Sequence, residues 1–384
     1  MQNPQTSIAW IDDDFSDNNS DRSRLVRDME TRSKGVLKVI ALEPNGVEDW
    51  LSGVESGTKP VPSLILIDLF LRSSKVGQKR TLLIFDHGTK LVGLLSTNDQ
   101  LADVPKYLVS RALEETSAGR QTDQFDWVLT HAQLAESGTD LLLRDTSDYR
   151  ALKDIFSKID ATARHSNSRE FDALLEKYVG LLKVPAVCRD SVSDICKKVL
   201  SDLVRGRNTD LGRVRLGSDE VYVARGVVLA AARWVRSLLL KRSGPVIADL
   251  LAATTLGAKL EPFRIRVAPI LEKEKMDALY SGIFSHSKYR RWWKEAIVDW
   301  ALQKYNKLPI SSPGNFAKSV AEKLALQDNE HATCVVCKEK WPETIARDSE
   351  DTSEWRQVHW HCSTIVDESN VPVGFDELRE FLAR

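Results

Sequence analysis

PSLILIDLFL, residues Pro62 to Leu71, holds an unbroken apolar run from Leu64 to Ile67 that is closed by one carboxylate, Asp68. Four apolar side chains in succession, two of them β-branched, fit a strand covered on both faces, as in a parallel sheet flanked by helices. A lone carboxylate is costly to bury, so Asp68 belongs at the strand's carboxyl end. In open α/β sheets that edge is where ligands bind.

Working outward, Ser7–Ile11 (SIAWI) is a second apolar strand, and Asp12, Asp13 and Asp14 follow it directly. Adjacent carboxylates repel unless a cation sits among them, and Mg²⁺ held by one or two carboxylates with its remaining waters meets that need. The plainer reading is a solvated acidic loop. Next come a charged surface helix that stops near Gly35, a strand over 36–42, and a short helix over 45–53. Beyond Asp68, a helix is predicted up to Leu95, a strand over 104–110 ending in Ser110, and a helix over 112–131. GTDLLL, Gly138 to Leu143, is predicted as the fifth strand, ending in Arg144, with a final helix over 148–163. Alternation of this kind predicts a five-stranded parallel sheet with helices on both faces, a flavodoxin-like α/β domain.

On those residues the segment from Ser7 to Ala163 resembles the receiver domain of bacterial response regulators. The resemblance rests on WIDDD after strand 1, LILIDLFL at strand 3, KYLVSR at strand 4 and GTDLLLR at strand 5. It implies phosphorylation of Asp68 by a histidine kinase or another phosphodonor. Mg²⁺ would be held by Asp12, Asp13 and Asp68, with Ser110 and Arg144 against the phosphoryl oxygens. The chain departs from the family pattern at Arg144, where the family carries lysine, at Asp145, where it carries proline, and at Leu141, its aromatic switch position. A planar guanidinium does not replace a mobile ammonium at such a site.

Charge divides the rest. The formal net charge is −1, but residues 161–327 carry 29 basic against 17 acidic side chains, while both flanks are acidic. Three domains are expected: 1–163 receiver-like, 164–327 basic and all-α, and 328–384 a zinc-binding module. In the middle one, Arg205, Arg207, Arg213 and Arg215 in a Gly-interrupted loop, and Arg290 and Arg291 beside Trp292 and Trp293, are candidates for contact with DNA or RNA. The plainer reading is a tryptophan pair in a helical core and a basic loop facing acidic neighbours.

At the C-terminus, Cys334 and Cys337 in CVVC are followed by VHWHC, which supplies His359 and Cys362. Two-residue gaps let a knuckle and a second element each give two ligands to a tetrahedral structural Zn²⁺. The pattern resembles a C-C-H-C treble-clef-type zinc finger, with His361 the alternative fourth ligand. The segment's acidity directs it toward bracing or a protein partner rather than DNA.

No Gly-rich phosphate loop, zinc-protease motif or nucleophile elbow occurs, so no catalytic set is expected beyond receiver autophosphorylation. No apolar run approaches the ~20 residues of a membrane helix, and the N-terminus lacks a signal-peptide core, so the expected address is the cytoplasm, with no membrane partner. These readings give a signalling protein in which a receiver-like domain controls a basic helical output through its own face. The alternative is a nucleic-acid-binding or scaffolding component, such as a transcriptional regulator or anti-phage factor, with an inactive receiver.

Overall fold

The computed structural model describes residues 5–17, 19–69, 71, 88–110, 124–156, 169–204, 213–216, 221–224, 226–240, 244–285, 290–305, 307–309, 312–347 and 355–359. The N-terminal part runs β1 (Thr6–Ile11), α1 (Asp21–Arg32), β2 (Leu37–Leu42), α2 (Val47–Glu55), β3 (Leu64–Asp68), α3 (Gly88–Thr97), β4 (Lys106–Ser110), β5 (Trp127–Thr130) and α4 (His131–Phe156).

All five strands pair in parallel, in the order β2-β1-β3-β4-β5. This is the flavodoxin-like, receiver-type sheet. Leu64, Ile65, Leu66 and Ile67 are fully buried, worth about 2 kcal/mol of apolar burial each. Side chains alternate across the sheet. Ile65 and Ile67 join Ala9 and Ile11 in a core with Val47, Trp50 and Val54 of α2 and Leu91, Val92 and Leu95 of α3. Helices α1 and α4 pack against each other, with α1 on β2 and α4 on β5.

The fifth strand is not GTDLLL. Residues 138–143 lie inside the 26-residue helix α4, and β5 is WVLT, where the sequence suggested the end of a helix. Consecutive leucines are ambiguous in period. Here Leu134, Gly138, Leu142, Tyr149, Leu152 and Phe156 make one buried helical stripe, while Leu141 and Leu143 are only half-buried.

Lys106 opens β4 almost fully buried, and its ammonium donates to Leu101 O (2.7 Å), Val104 O (2.8 Å) and Ala102 O (3.1 Å). Three carbonyl acceptors satisfy its three donors, and they fix the turn that feeds the strand.

The rest is mainly helical: α5 (Arg169–Leu182), α6 (Arg189–Val204), α7 (Val227–Arg233), α8 (Asp249–Thr255), the short α9 (Leu260–Pro262), α10 (Ala268–Glu274), α11 (Lys294–Lys304) and α12 (Pro313–Lys323). It is not wholly so. An antiparallel pair joins β6 (Arg213–Leu216) to β7 (Val221–Ala224), and another joins β8 (Val246–Ala248) to β9 (Arg291–Trp293). A last pair joins β10 (Thr344–Arg347) to β11 (Trp355–Val358). The tryptophan pair therefore sits on a strand rather than a helix. By contacts the chain forms two compact units, one of residues 1–171 and 199–233, the other of 172–198 and 234–384. No helix among the described residues is long and apolar enough to cross a membrane.

Candidate functional site

In the sheet order, β1 has β2 on one side and β3 on the other, so the chain direction of winding reverses there. A crevice forms outside the carboxyl ends of strands at such a switch point. Ile11 pairs with Ile67, which brings Asp12 and Asp68 to that crevice as the next residues along each strand.

Asp12 is fully buried and both its oxygens are engaged. Its Oδ1 accepts the Asp14 amide (2.9 Å) and its Oδ2 the Arg22 Nε (3.0 Å). Burial raises its carboxyl above the usual range, against the Asp14 N–H and the Arg22 charge, which oppose the rise. Arg22 is the second residue of α1, a helix whose N-terminus is capped by Ser20 and therefore aims back at the end of β1. It too is buried, and its Nη2 lies 2.7 Å from His131 Nε2. A guanidinium only donates, so Nε2 is the acceptor and the ring proton belongs on Nδ1. His131 opens α4 directly after β5, and the ring of Trp10 stacks on it at 23° and 6.4 Å.

Asp68 is half-buried, and its Oδ1 accepts the Leu69 amide at 2.6 Å. Its carboxyl is pushed up to about 7, first by burial and then by the charge of Asp12, while the Leu69 N–H and Arg22 pull it down. Gly88 fixes the wall beside it. A Cβ there would stand 2.3 Å from the Asp68 carbonyl oxygen and 3.1 Å from Ile67 Cγ2, so only glycine lets α3 start this close.

Of the residues expected at this site, Asp12 and Asp68 meet, and Asp13 lies with Asp12 and Asp14, their oxygens within 4.8 Å of one another. Ser110 ends β4, its backbone in register with Thr130. Arg144 does not join them. It is exposed on α4, about 20 Å along the axis from His131 at helical rise, because the strand it was to terminate is part of that helix. The sequence reading missed Arg22 and His131. Arg22 was hidden in a helix charged on most faces. His131 falls at the end of the helix expected over 112–131, although WVLT followed by a histidine is the same strand-then-polar pattern that marks Asp68.

Magnesium needs near-octahedral oxygen ligation at about 2.0–2.1 Å. Ligand atoms of Asp12, Asp68 and His131 do lie within 4.8 Å of one another, but Arg22 bonds to two of those three residues. Each Asp12 oxygen accepts one hydrogen bond, so an ion bound through Asp12 would share that carboxylate with Arg22.

The second cluster is at the C-terminal end. Ligand atoms of Cys334, Cys337 and His359 lie within 4.8 Å of one another. The Cys334 N–H donates to Glu339 O (2.8 Å), and the Lys338 N–H returns to Cys334 O (3.1 Å), a tight knuckle with Lys338 at φ 64°. His359 follows β11. Its Nδ1 faces Cys337 Sγ at 3.2 Å, while Nε2 lies 3.2 Å from Lys340 O. A backbone carbonyl on one ring nitrogen orients the other toward a metal. Burial works to raise the Cys334 thiol, but N–H groups of Cys337, His359 and Val336 outweigh it and bring it down to about 6. Two sulfurs and an imidazole, one thiol already inclined to ionise, fit zinc. Cys362 and His361 lie outside the described residues. The knuckle is anchored by Gln357, whose amide donates to Ala258 O (2.8 Å) and Thr254 Oγ1 (3.0 Å).

The basic candidates are differently placed. Arg213 and Arg215 fall on β6, and Arg205 and Arg207 lie outside the described residues. Arg290 pairs with Glu272 (2.8 Å) and Asp249 (3.6 Å). Arg291 begins β9, and Trp292 and Trp293 after it are fully buried, Trp292 Nε1 donating to Asp249 Oδ1 at 2.8 Å. Buried indoles offer no face on which a base could stack.

No protein-family model matches the chain, and no curated protein does. Among solved structures it is similar to the Mn²⁺-bound form of response regulator Rcp1, at 20% identity over 35% of this chain and 91% of that one, TM-score 0.26. It is also similar to the phosphorylated cyanobacterial phytochrome response regulator RcpA, at 16% identity over 41% of this chain and 97% of that one, TM-score 0.27. Identity at this level concerns fold alone, and the strand order is the firmer ground for it.

Proposed function

We propose that the chain is a signalling protein whose parallel-sheet domain is a divergent receiver, with Asp68 as the phosphoryl acceptor and the helical part as the element it regulates. The observation that carries this is the meeting of Asp12 and Asp68 at the carboxyl-edge switch point beside a buried arginine. In the proposed step an Asp68 oxygen attacks the phosphorus of an acyl phosphate or phosphohistidine. A new O–P bond forms, the bond to the donor breaks, and the donor leaves as carboxylate or imidazole. Arg22 and the Leu69 N–H hold charge on the oxygens that result.

The test is intact-mass measurement of the full chain after incubation with acetyl phosphate. A gain of one phosphoryl group that disappears in Asp68→Asn supports the reading, and no gain, or the same gain in Asp68→Asn, removes it. A structural zinc held by Cys334, Cys337 and His359, with Cys362 or His361 completing the shell, is proposed for the C-terminal knuckle, where it would staple a segment poor in apolar residues.

A further inference from the structure

We infer that Arg22 is the resident cation of the Asp12–Asp68 crevice, occupying the place a divalent metal would need, and that the crevice takes up a phosphoryl-like oxyanion without such a metal. The second part deepens the reading of Asp68 as acceptor and rests on it, whereas the exclusion of metal does not.

Three observations carry the inference. Arg22 is only 5% exposed, so its charge is committed to this crevice rather than to solvent. It is held at two points, Nε on Asp12 at 3.0 Å and Nη2 on His131 at 2.7 Å, so an ion bound through Asp12 would have to share that carboxylate with a buried guanidinium. Its third nitrogen, Nη1, makes no hydrogen bond among the described residues, so one end of a rigid, pre-positioned fork keeps donors to spare. The two residues it holds have ligand atoms within 4.8 Å of those of Asp68.

Chemically the two arrangements answer the same demand. Two carboxylates facing each other and an incoming oxyanion need a positive charge between them. A divalent ion supplies it with labile waters, and a buried guanidinium supplies it with directed N–H groups that match phosphoryl oxygens. Installing both would make Asp12 divide its carboxylate between the ion and Arg22, weakening a buried ion pair whose loss leaves Arg22 uncompensated.

The experiment uses the full chain with its C-terminal site saturated with zinc. Mn²⁺ is titrated and free ion followed by electron paramagnetic resonance. The expected result is no Mn²⁺ taken up by the crevice in the unmodified chain, and one in Arg22→Gln that is lost again in Arg22→Gln with Asp68→Asn. Uptake by the unmodified chain that Asp68→Asn abolishes would overturn the inference. In parallel, beryllofluoride uptake is read by fluorine NMR. The unmodified chain should bind equally in Mg²⁺-free and in Mg²⁺-containing buffer, within about twofold, while Arg22→Gln should lose about tenfold or more without Mg²⁺ and recover with it. A requirement for Mg²⁺ in the unmodified chain refutes the arginine's role. No uptake under any condition removes the acceptor reading and the oxyanion half of this inference together, leaving the Mn²⁺ titration to decide metal exclusion by itself. The titration of the unmodified chain needs no variant to fold, and Arg22→Lys, which keeps the charge but not the fork, gives the conservative control.

Discussion

Asp68 concentrates the energetics of the crevice in one group. Its carboxyl titrates near 7 when folded and near the ordinary 3.8 when unfolded, so the folded chain binds the extra proton between those values. A raised carboxyl opposes the fold when ionised. Stability from this group is therefore full below about pH 4, is lost as pH rises through 7, and stays low above it. Asp68 is partly open to water, which limits the cost to about 2 kcal/mol. Asp68→Asn should accordingly raise the melting temperature of the parallel-sheet unit by a few degrees at pH 8 and leave it unchanged at pH 4, in EDTA. An equal rise at both pH values would mean that the group is not held as described. Asp12 is shifted in the same direction but carries a buried charged partner. Burial still raises its carboxyl, with the Asp14 N–H and the Arg22 charge holding back part of the rise, and this charge pairing could not be foreseen from WIDDD alone.

At the scale of the element, the start of α3 governs where Asp68 can lie. The Gly88 N–H donates to Leu69 O at 2.8 Å, and a side chain at 88 would collide with the Asp68 carbonyl rather than with a flexible tip. Backbone has to move to admit a methyl group, at about 1–3 kcal/mol. Gly88→Ala should therefore lower the midpoint of urea unfolding and cut phosphoryl uptake at Asp68, read by intact mass. Unchanged uptake would show that α3 does not position the acceptor. Element type was legible where length and period agreed, as in β1, β2, β3 and β4. It was misread where a short leucine run could be strand or helix, and at Trp292 and Trp293, where two adjacent large apolar residues fit either element and a three-residue strand gives no period to measure.

For the whole molecule, the C-terminal knuckle is an anchor. Gln357 ties β11 to α8 and to the turn at Ala258, and the Ala332 N–H donates to Gly257 O at 2.9 Å. With Cys334, Cys337 and His359 converging beside that anchor, removal of metal should loosen the segment that follows Leu326. The expected measurement is one zinc per chain by elemental analysis, lost in Cys334→Ser, together with faster proteolysis after residue 330 once zinc is chelated. Full zinc content in Cys334→Ser, or cleavage indifferent to chelation, would count against the staple.

By itself the sequence determined the local terms: the buried β3 run, the carboxylates that end β1 and β3, the helical period of the later residues, and the CVVC knuckle with its histidine. Each depends on neighbours within a few residues. Only the tertiary structure decided which strand closes the sheet, that Arg144 stands far from the crevice, and that Arg22 and His131 stand inside it. Those outcomes depend on which side chains packing brings together across more than a hundred residues, as Arg22 and His131 are, and no local period or spacing encodes such a meeting.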